Sequence, residues 1–219
     1  MRIGFIGRGQ VSNYAEKEGE YADIILFGFD GKTEVSYEKE LKGETSFFED
    51  VARLSKREKG VVVCGCITDT LGIRRKSALV AKSGKLLGVS DMLNAVDGEI
   101  GAGAGLRVYE TSVGKMGVVV AEDLCFPETV RALSLCGSDF IVCPFGSANG
   151  LLQKTLVCAN AYFSGTPVFF CGKGRCMVAD PSGELVFDSP HSPVYFDYEP
   201  KKEYHLIETR RKGNFGVRV

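Results

Sequence analysis

Residues 118–128 read V-V-V-A-E-D-L-C-F-P-E, and they constrain the fold more than any other stretch of the chain. A dense apolar run such as Val118-Val119-Val120 belongs to a strand covered on both faces. Pro127 lacks an N–H and fits the first turn of a helix. The chain therefore leaves a buried strand, with Ala121 at its end, and enters a helix running to about Leu135, where Cys136-Gly137 supplies a stop.

The flanking sequence supplies the other elements. Arg2 to Gly7 and Ala22 to Phe29 are continuous apolar runs that read as strands, and Val11 to Tyr21 leaves room between them for about three turns of helix. Thr45 or Ser46 is placed to cap a helix over Phe47 to Lys56, whose Phe47, Val51 and Leu54 share one face. Strands are expected over Val61 to Thr68, Ile73 to Ala81 and Lys85 to Val89, the last two joined at Ser83-Gly84. After a glycine-rich loop, Leu106 to Glu110 and Gly117 to Ala121 pair about a turn at Val113-Gly114-Lys115. Asp139 to Pro144 and Val168 to Cys171 are strands on either side of a helix over Leu151 to Phe163. Arg175 to Ala179 and Glu184 to Phe187 form a hairpin about Asp180-Pro181-Ser182-Gly183. Alternating units mixed with hairpins fit two mixed sheets packed together, with helices outside each.

With 219 residues and 44% apolar residues, one core-bearing domain over residues 1–219 is expected. Lys plus Arg (27) nearly balances Asp plus Glu (28), so no net field draws the chain to nucleic acid or to anionic lipid. Short basic runs, Lys56-Arg57, Arg74-Arg75-Lys76 and Arg210-Arg211-Lys212, read as solvated faces. No secretory signal or membrane-length apolar run is evident, and a cytoplasmic protein is expected. The 8 cysteines lack regular spacing, and Cys64, Cys143 and Cys171 lie in apolar runs, where a reduced thiol behaves as a small hydrophobe. Neither Cys64-Gly65-Cys66 nor Cys171 with Cys176 has zinc-site spacing, and His191 and His205 are isolated, so neither metal nor cofactor is expected.

The central segment resembles the signature of the nitrilase superfamily, the carbon–nitrogen hydrolases, in which a strand ends in Cys-x-Asp-x-x-x-Pro-Glu. Asp123, Phe126, Pro127 and Glu128 stand at that spacing. Asp23 to Phe29, Gly84 to Leu93 and Met177 to Leu185 are similar to further family segments. The resemblance implies a four-layer αββα sandwich, commonly paired into homodimers. It also implies a catalytic glutamate, lysine and cysteine, for proton transfer, charge stabilisation and acyl-enzyme formation. Carried across, those positions hold Phe29, Asp91 and Ala121. Glu99 stands where the family often has a second glutamate, and Glu99 and Glu122 are candidate ligand-binding groups.

Neighbouring residues do not replace the missing set. A shift from Phe29 to Asp30 reverses the strand face, and Cys125 lies about one helical turn, roughly 5 Å, beyond Ala121. Lys82 and Lys85 belong to the far end of their hairpin. Groups acting as a unit lose on the order of a millionfold when one is deleted. The reading is a pseudoenzyme that binds a small molecule in the old pocket or serves as a scaffold, with Asp123 as an elbow or capping residue. One alternative is altered chemistry through Cys125 or pocket carboxylates. The other is a dinucleotide-binding fold, suggested by Gly7, Gly9 and Ser12 after a strand and Asp30 after the next.

Overall fold

In a computed structural model, the structure describes residues 1–9, 11–14, 21–96, 98, 100–147 and 150–200. Strands β1 (Arg2–Ile6), β2 (Ile24–Ser36), β3 (Val61–Thr70), β4 (Ile73–Lys82), β5 (Lys85–Asp91) and β12 (Val194–Asp197) form one six-stranded sheet, in the order β12-β1-β2-β3-β4-β5. Strands β6 (Val108–Thr111), β7 (Gly114–Val118), β8 (Phe140–Ser147), β9 (Val168–Lys173), β10 (Arg175–Ala179) and β11 (Leu185–Ser189) form the second, in the order β11-β10-β9-β8-β7-β6. Each sheet has three parallel strands, β1-β2-β3 and β7-β8-β9, extended by antiparallel neighbours on both sides.

Alternation along the strands builds three apolar layers. Val61 and Val63 join Ile24, Leu26, Ala78 and Val80 between the sheets, where they meet Val118, Phe140, Val142 and Phe169. Val62 points the other way, with Ile25, Phe27 and Leu79, against Val51 and Leu54 of helix α2 (Phe47–Arg57). On the far side, Ile141, Cys143 and Phe170 pack under Val130 and Leu133 of α3 (Pro127–Leu135) and Val157 and Ala161 of α4 (Leu151–Ser164). Both faces of each sheet are covered, which is why the parallel strands read as unbroken apolar runs. The layer order is helix, sheet, sheet, helix, the expected αββα sandwich.

Local chemistry accounts for several boundaries. Ser83 and Gly84 both have positive φ, 52° and 80°, as a two-residue hairpin with matching twist requires. Pro127 occupies the first turn of α3, and Gly137, at φ 87°, follows its end.

Other boundaries differ from expectation. Ser46 precedes α2 but gives its backbone no side-chain cap; the Glu40 carboxylate accepts the N–H groups of Phe47 and Phe48 at 3.0 and 2.9 Å. Glu40 sits on a short helix, α1 (Tyr37–Leu41), absent from the expected order, as is β12. Between β1 and β2 the described residues contain a 3-10 helix over Val11–Asn13, and the rest of the expected helix lies largely outside them. Strand β7 begins earlier and ends at Val118, because its hairpin closes with Thr111 opposite Gly114.

The dinucleotide alternative is overturned. The parallel strands belong to two packed mixed sheets, not to one doubly wound sheet. A Cβ on Gly7 would lie 2.5 Å from the carbonyl oxygen of Gly172, so this glycine admits the backbone of the second sheet rather than a pyrophosphate. No helix among the described residues is long and apolar enough to cross a membrane.

Candidate functional site

Beyond β7 the backbone remains extended through Val120, at φ −106° and ψ 117°, and then turns abruptly. Ala121 has φ 50°, in the left-handed region, and opens a 3-10 helix over Ala121–Cys125. A side chain in this region costs roughly 1–2 kcal/mol, so the elbow is a strained position held by its surroundings. Ala121 thus heads a helical turn instead of ending a strand. Its methyl group is buried in the layer between the sheets.

Phe29 reaches the same layer through an irregularity in β2. Phe27 pairs with Cys64 and Phe29 with Gly65, so Gly28 is an extra residue on its strand. The bulge lets Phe29 lie over Gly65, where a Cβ would stand 2.7 Å from the phenylalanine ring. Phe29 packs against the core that contains Ala121.

Asp91, expected at the lysine position, points away from the layer that holds Ala121 and Phe29. It lies opposite Ser77, whose hydroxyl donates to Asp91 Oδ1 at 2.6 Å and shares a 2.8 Å hydrogen bond with Thr68. Alternation from Leu79 and Ala81 puts Ser77 on the outer face of the sheet, and Asp91 with it. The next residue, Met92, is fully buried between the sheets with Ala121. A register shift between Val80 and Ala81 leaves an extra residue on β5, which reverses every later side chain on that strand. Met92, in the same layer as Ala121 and Phe29, carries no charge.

The two acids of the elbow diverge. Glu122 Oε2 accepts a hydrogen bond of 2.7 Å from Lys76 Nζ, and both side chains are partly exposed. Asp123 is buried and accepts from the N–H of Leu93 and of Asn94, and from Asn94 Nδ2, each at 2.8 Å. It caps no helix; it ties the segment after β5 to the elbow. Burial raises the Asp123 carboxyl above its ordinary range, and the hydrogen bonds from Leu93 and Asn94 oppose that shift.

Cys125 is exposed, at the end of the 3-10 helix. Partial desolvation of its thiol against the neighbouring chain, followed by the Glu122 carboxylate, raises its pKa, the reverse of what a nucleophile needs. Glu99 lies outside the described residues, as does His205. Among the described residues, no group of three or more His, Cys, Asp or Glu is placed to hold a metal ion. Cys171 and Cys176 are cross-strand partners with sulfurs 3.9 Å apart, and both are buried.

Lys76 reads in the sequence as one of a solvated basic run, Arg74-Arg75-Lys76, but it is only 22% exposed. Its signal was the period of two: Lys76, Ala78 and Val80 share the inner face of β4. Its carbonyl accepts the N–H of Met92 at 2.8 Å, so Met92, just past the end of β5, sits beside Lys76 of β4.

Comparison with known proteins agrees with this arrangement. Residues 22–193 match the family model described as carbon-nitrogen hydrolase. A Schizosaccharomyces pombe protein named as a probable nitrilase is 23% identical over 187 residues, covering 76% of this chain and 68% of the relative. Among solved structures, Saccharomyces cerevisiae Nit3, a member of branch 10 of the nitrilase superfamily, aligns over 99% of this chain and 95% of its own, with TM-score 0.74 and 15% identity. An amidase from Nesterenkonia sp. aligns over 89% of this chain and 88% of its own, with TM-score 0.71 and 16% identity. With the family model spanning most of the sequence and the sandwich shared with these structures, the chain belongs to the carbon-nitrogen hydrolase family of the nitrilase superfamily.

Proposed function

We propose that this member has given up hydrolysis of carbon–nitrogen bonds and binds a small molecule at the rim around Ala121. One observation carries the reading: the apex of the strained elbow holds a methyl group, not a thiol. Phe29 and Met92 occupy the same layer and can neither accept a proton nor stabilise an oxyanion. The alternative of acyl chemistry through Cys125 is weakened by its raised thiol pKa.

The test combines turnover with binding. Purified chain and its Ala121→Cys variant are assayed with aliphatic amides and nitriles, and thermal shifts are recorded with small ligands. Neither protein turns over, because a restored thiol still lacks its base and its cation. A ligand at about 100 times its dissociation constant stabilises by about 2.7 kcal/mol. Turnover by the unmodified chain would falsify the proposal.

The second part of the reading is a cytoplasmic homodimer. Leu135 on α3 and Leu151, Leu152, Tyr162 and Phe163 on α4 are exposed large hydrophobic residues on the same outer layer. Large apolar side chains left exposed on one outer layer suit an interaction face. Sedimentation of the chain and of Phe163→Glu tests this: a dimer converted to monomer supports it, and a monomer in both cases rejects it.

A further inference from the structure

Cys171 on β9 and Cys176 on β10 stand directly opposite one another, with their sulfurs 3.9 Å apart. Lys173 and Gly174 alone separate Gly172 from Arg175, the pair that closes the hairpin. In a two-residue hairpin the closing pair is the hydrogen-bonded kind, and the pair behind it is the non-hydrogen-bonded kind, whose side chains approach more closely. Both thiols face the layer between the sheets, at 0% and 1% exposure. A Cβ on Gly7 would come within 3.4 Å of Cys176 Sγ, so the sulfurs lie directly beneath the place where the two sheets touch.

Burial alone asks only for small apolar groups at these positions, and the opposition of two thiols adds a covalent option. A disulfide joins Cβ atoms about 3.5–4.5 Å apart and brings the sulfurs to about 2.0 Å. Rotation of the two side chains closes the remaining gap without separating strands already in register. Burial, and then the contact with Cys176, raises the Cys171 thiol well above its ordinary range, and backbone hydrogen bonds from Ile6 and Gly28 oppose the shift. The thiolate is the reacting form, so closure is slow, and the absence of exposed sulfur restricts it to an oxidant little larger than water.

We propose that Cys171 and Cys176 are a redox clamp, closed to an intrachain disulfide by hydrogen peroxide and reopened by a small dithiol. The Cys171 sulfur attacks one peroxide oxygen, the O–O bond breaks, and a sulfenic acid and one water form. The Cys176 sulfur then bonds to that of Cys171, the S–O bond breaks, and the hydroxyl leaves with the Cys176 proton as a second water. The two thiols together lose two electrons, and the peroxide gains them. The dithiol breaks the bond by exchange and leaves as its own cyclic disulfide. The closed clamp fixes β9 to β10 under the Gly7 contact, independently of what the rim binds.

The test uses the full reduced chain, treated with hydrogen peroxide while folded, then denatured, alkylated with iodoacetamide and digested with trypsin without reductant. Cleavage after Lys154, Lys173, Arg175 and Lys201 puts Cys171 in a peptide of residues 155–173 and Cys176 in one of residues 176–201. The bond joins these two peptides, and tandem fragmentation places it on Cys171 and not on Cys158 of the same peptide. The oxidised chain melts at least about 3 °C higher than the reduced one. Dithiothreitol reverses both changes, and Cys176→Ala shows neither. The clamp is rejected if Cys171 and Cys176 are recovered alkylated or as sulfinic acids, if either pairs with another cysteine, or if the bond forms without a rise in melting temperature. Should Cys176→Ala fail to fold, the linked peptides and their reversal in the unmodified chain decide alone.

Discussion

Asn94 gives Asp123 Oδ1 two hydrogen bonds, one from its backbone and one from its side chain, both 2.8 Å long. With the Leu93 N–H on Oδ2, the carboxylate joins the end of one sheet to the elbow of the other. Removing it leaves two backbone donors without their acceptors in a partly buried setting, at about 1–3 kcal/mol for each group left unsatisfied. Asp123→Ala is therefore expected to lose at least about 2 kcal/mol in denaturant unfolding. A loss below about 0.5 kcal/mol, the range of an ordinary surface substitution, would contradict this role.

The same carboxyl gives stability a pH dependence whose sign follows from its raised pKa. A group raised in the folded state favours folding while protonated, and that contribution fades as pH rises through the folded-state value. Melting temperatures of the wild type and Asp123→Asn, measured from about pH 3 to about pH 7, compare a titrating group with a silent one across the carboxylate range. The wild type loses ground relative to the variant as pH rises; a gain in its place would reverse the attribution to burial.

Thiol labelling separates exposure from reactivity. Cys125 is open to solvent, yet its thiol is raised by partial desolvation and by Glu122. At neutral pH its alkylation by iodoacetamide should run no faster than that of the denatured chain, with the site identified by peptide mass. Glu122→Gln removes the nearby negative charge and accelerates the reaction. Rapid labelling of the wild type would restore Cys125 as a candidate nucleophile.

The contact of Gly7 with Gly172 leaves no room for a side chain. Gly7→Ala places a methyl 2.5 Å from a backbone carbonyl oxygen, where nothing flexible can yield. Overpacking of this kind costs about 1–3 kcal/mol. A variant melting at the wild-type temperature would show that the sheets can separate there without penalty.

The sandwich was legible because its physical cause is local. Val61-Val62-Val63 cannot alternate with polar residues if both faces are covered, and Pro127 can start a helix but not sit inside one. The inner end of β5 was not legible for an equally physical reason. One extra residue after Leu86 turns Asp91 outward and Met92 inward, and no pattern in K-L-L-G-V-S-D announces it. Glu40 as the cap of α2 was hidden too, since a carboxylate reaching back from another helix leaves no mark at the capped terminus. Lys76 was readable from alternation with Ala78 and Val80, and was masked by the two arginines before it.

The glycines where the sheets touch bear on how such a site changes. At the carboxyl ends of the parallel strands, Gly7 meets the Gly172 carbonyl and Gly28 meets those of Phe145 and Cys171, so main chain rests on main chain. The spacing across this rim is set by atoms that every sequence with glycine at those two positions would share. Side chains at 29, 92 and 121 can therefore turn over while the frame around them persists. A scaffold built this way separates inheritance of shape from inheritance of reaction: the family's outline can outlast its chemistry, and a new ligand can be fitted by exchanging a few side chains on an unchanged rim.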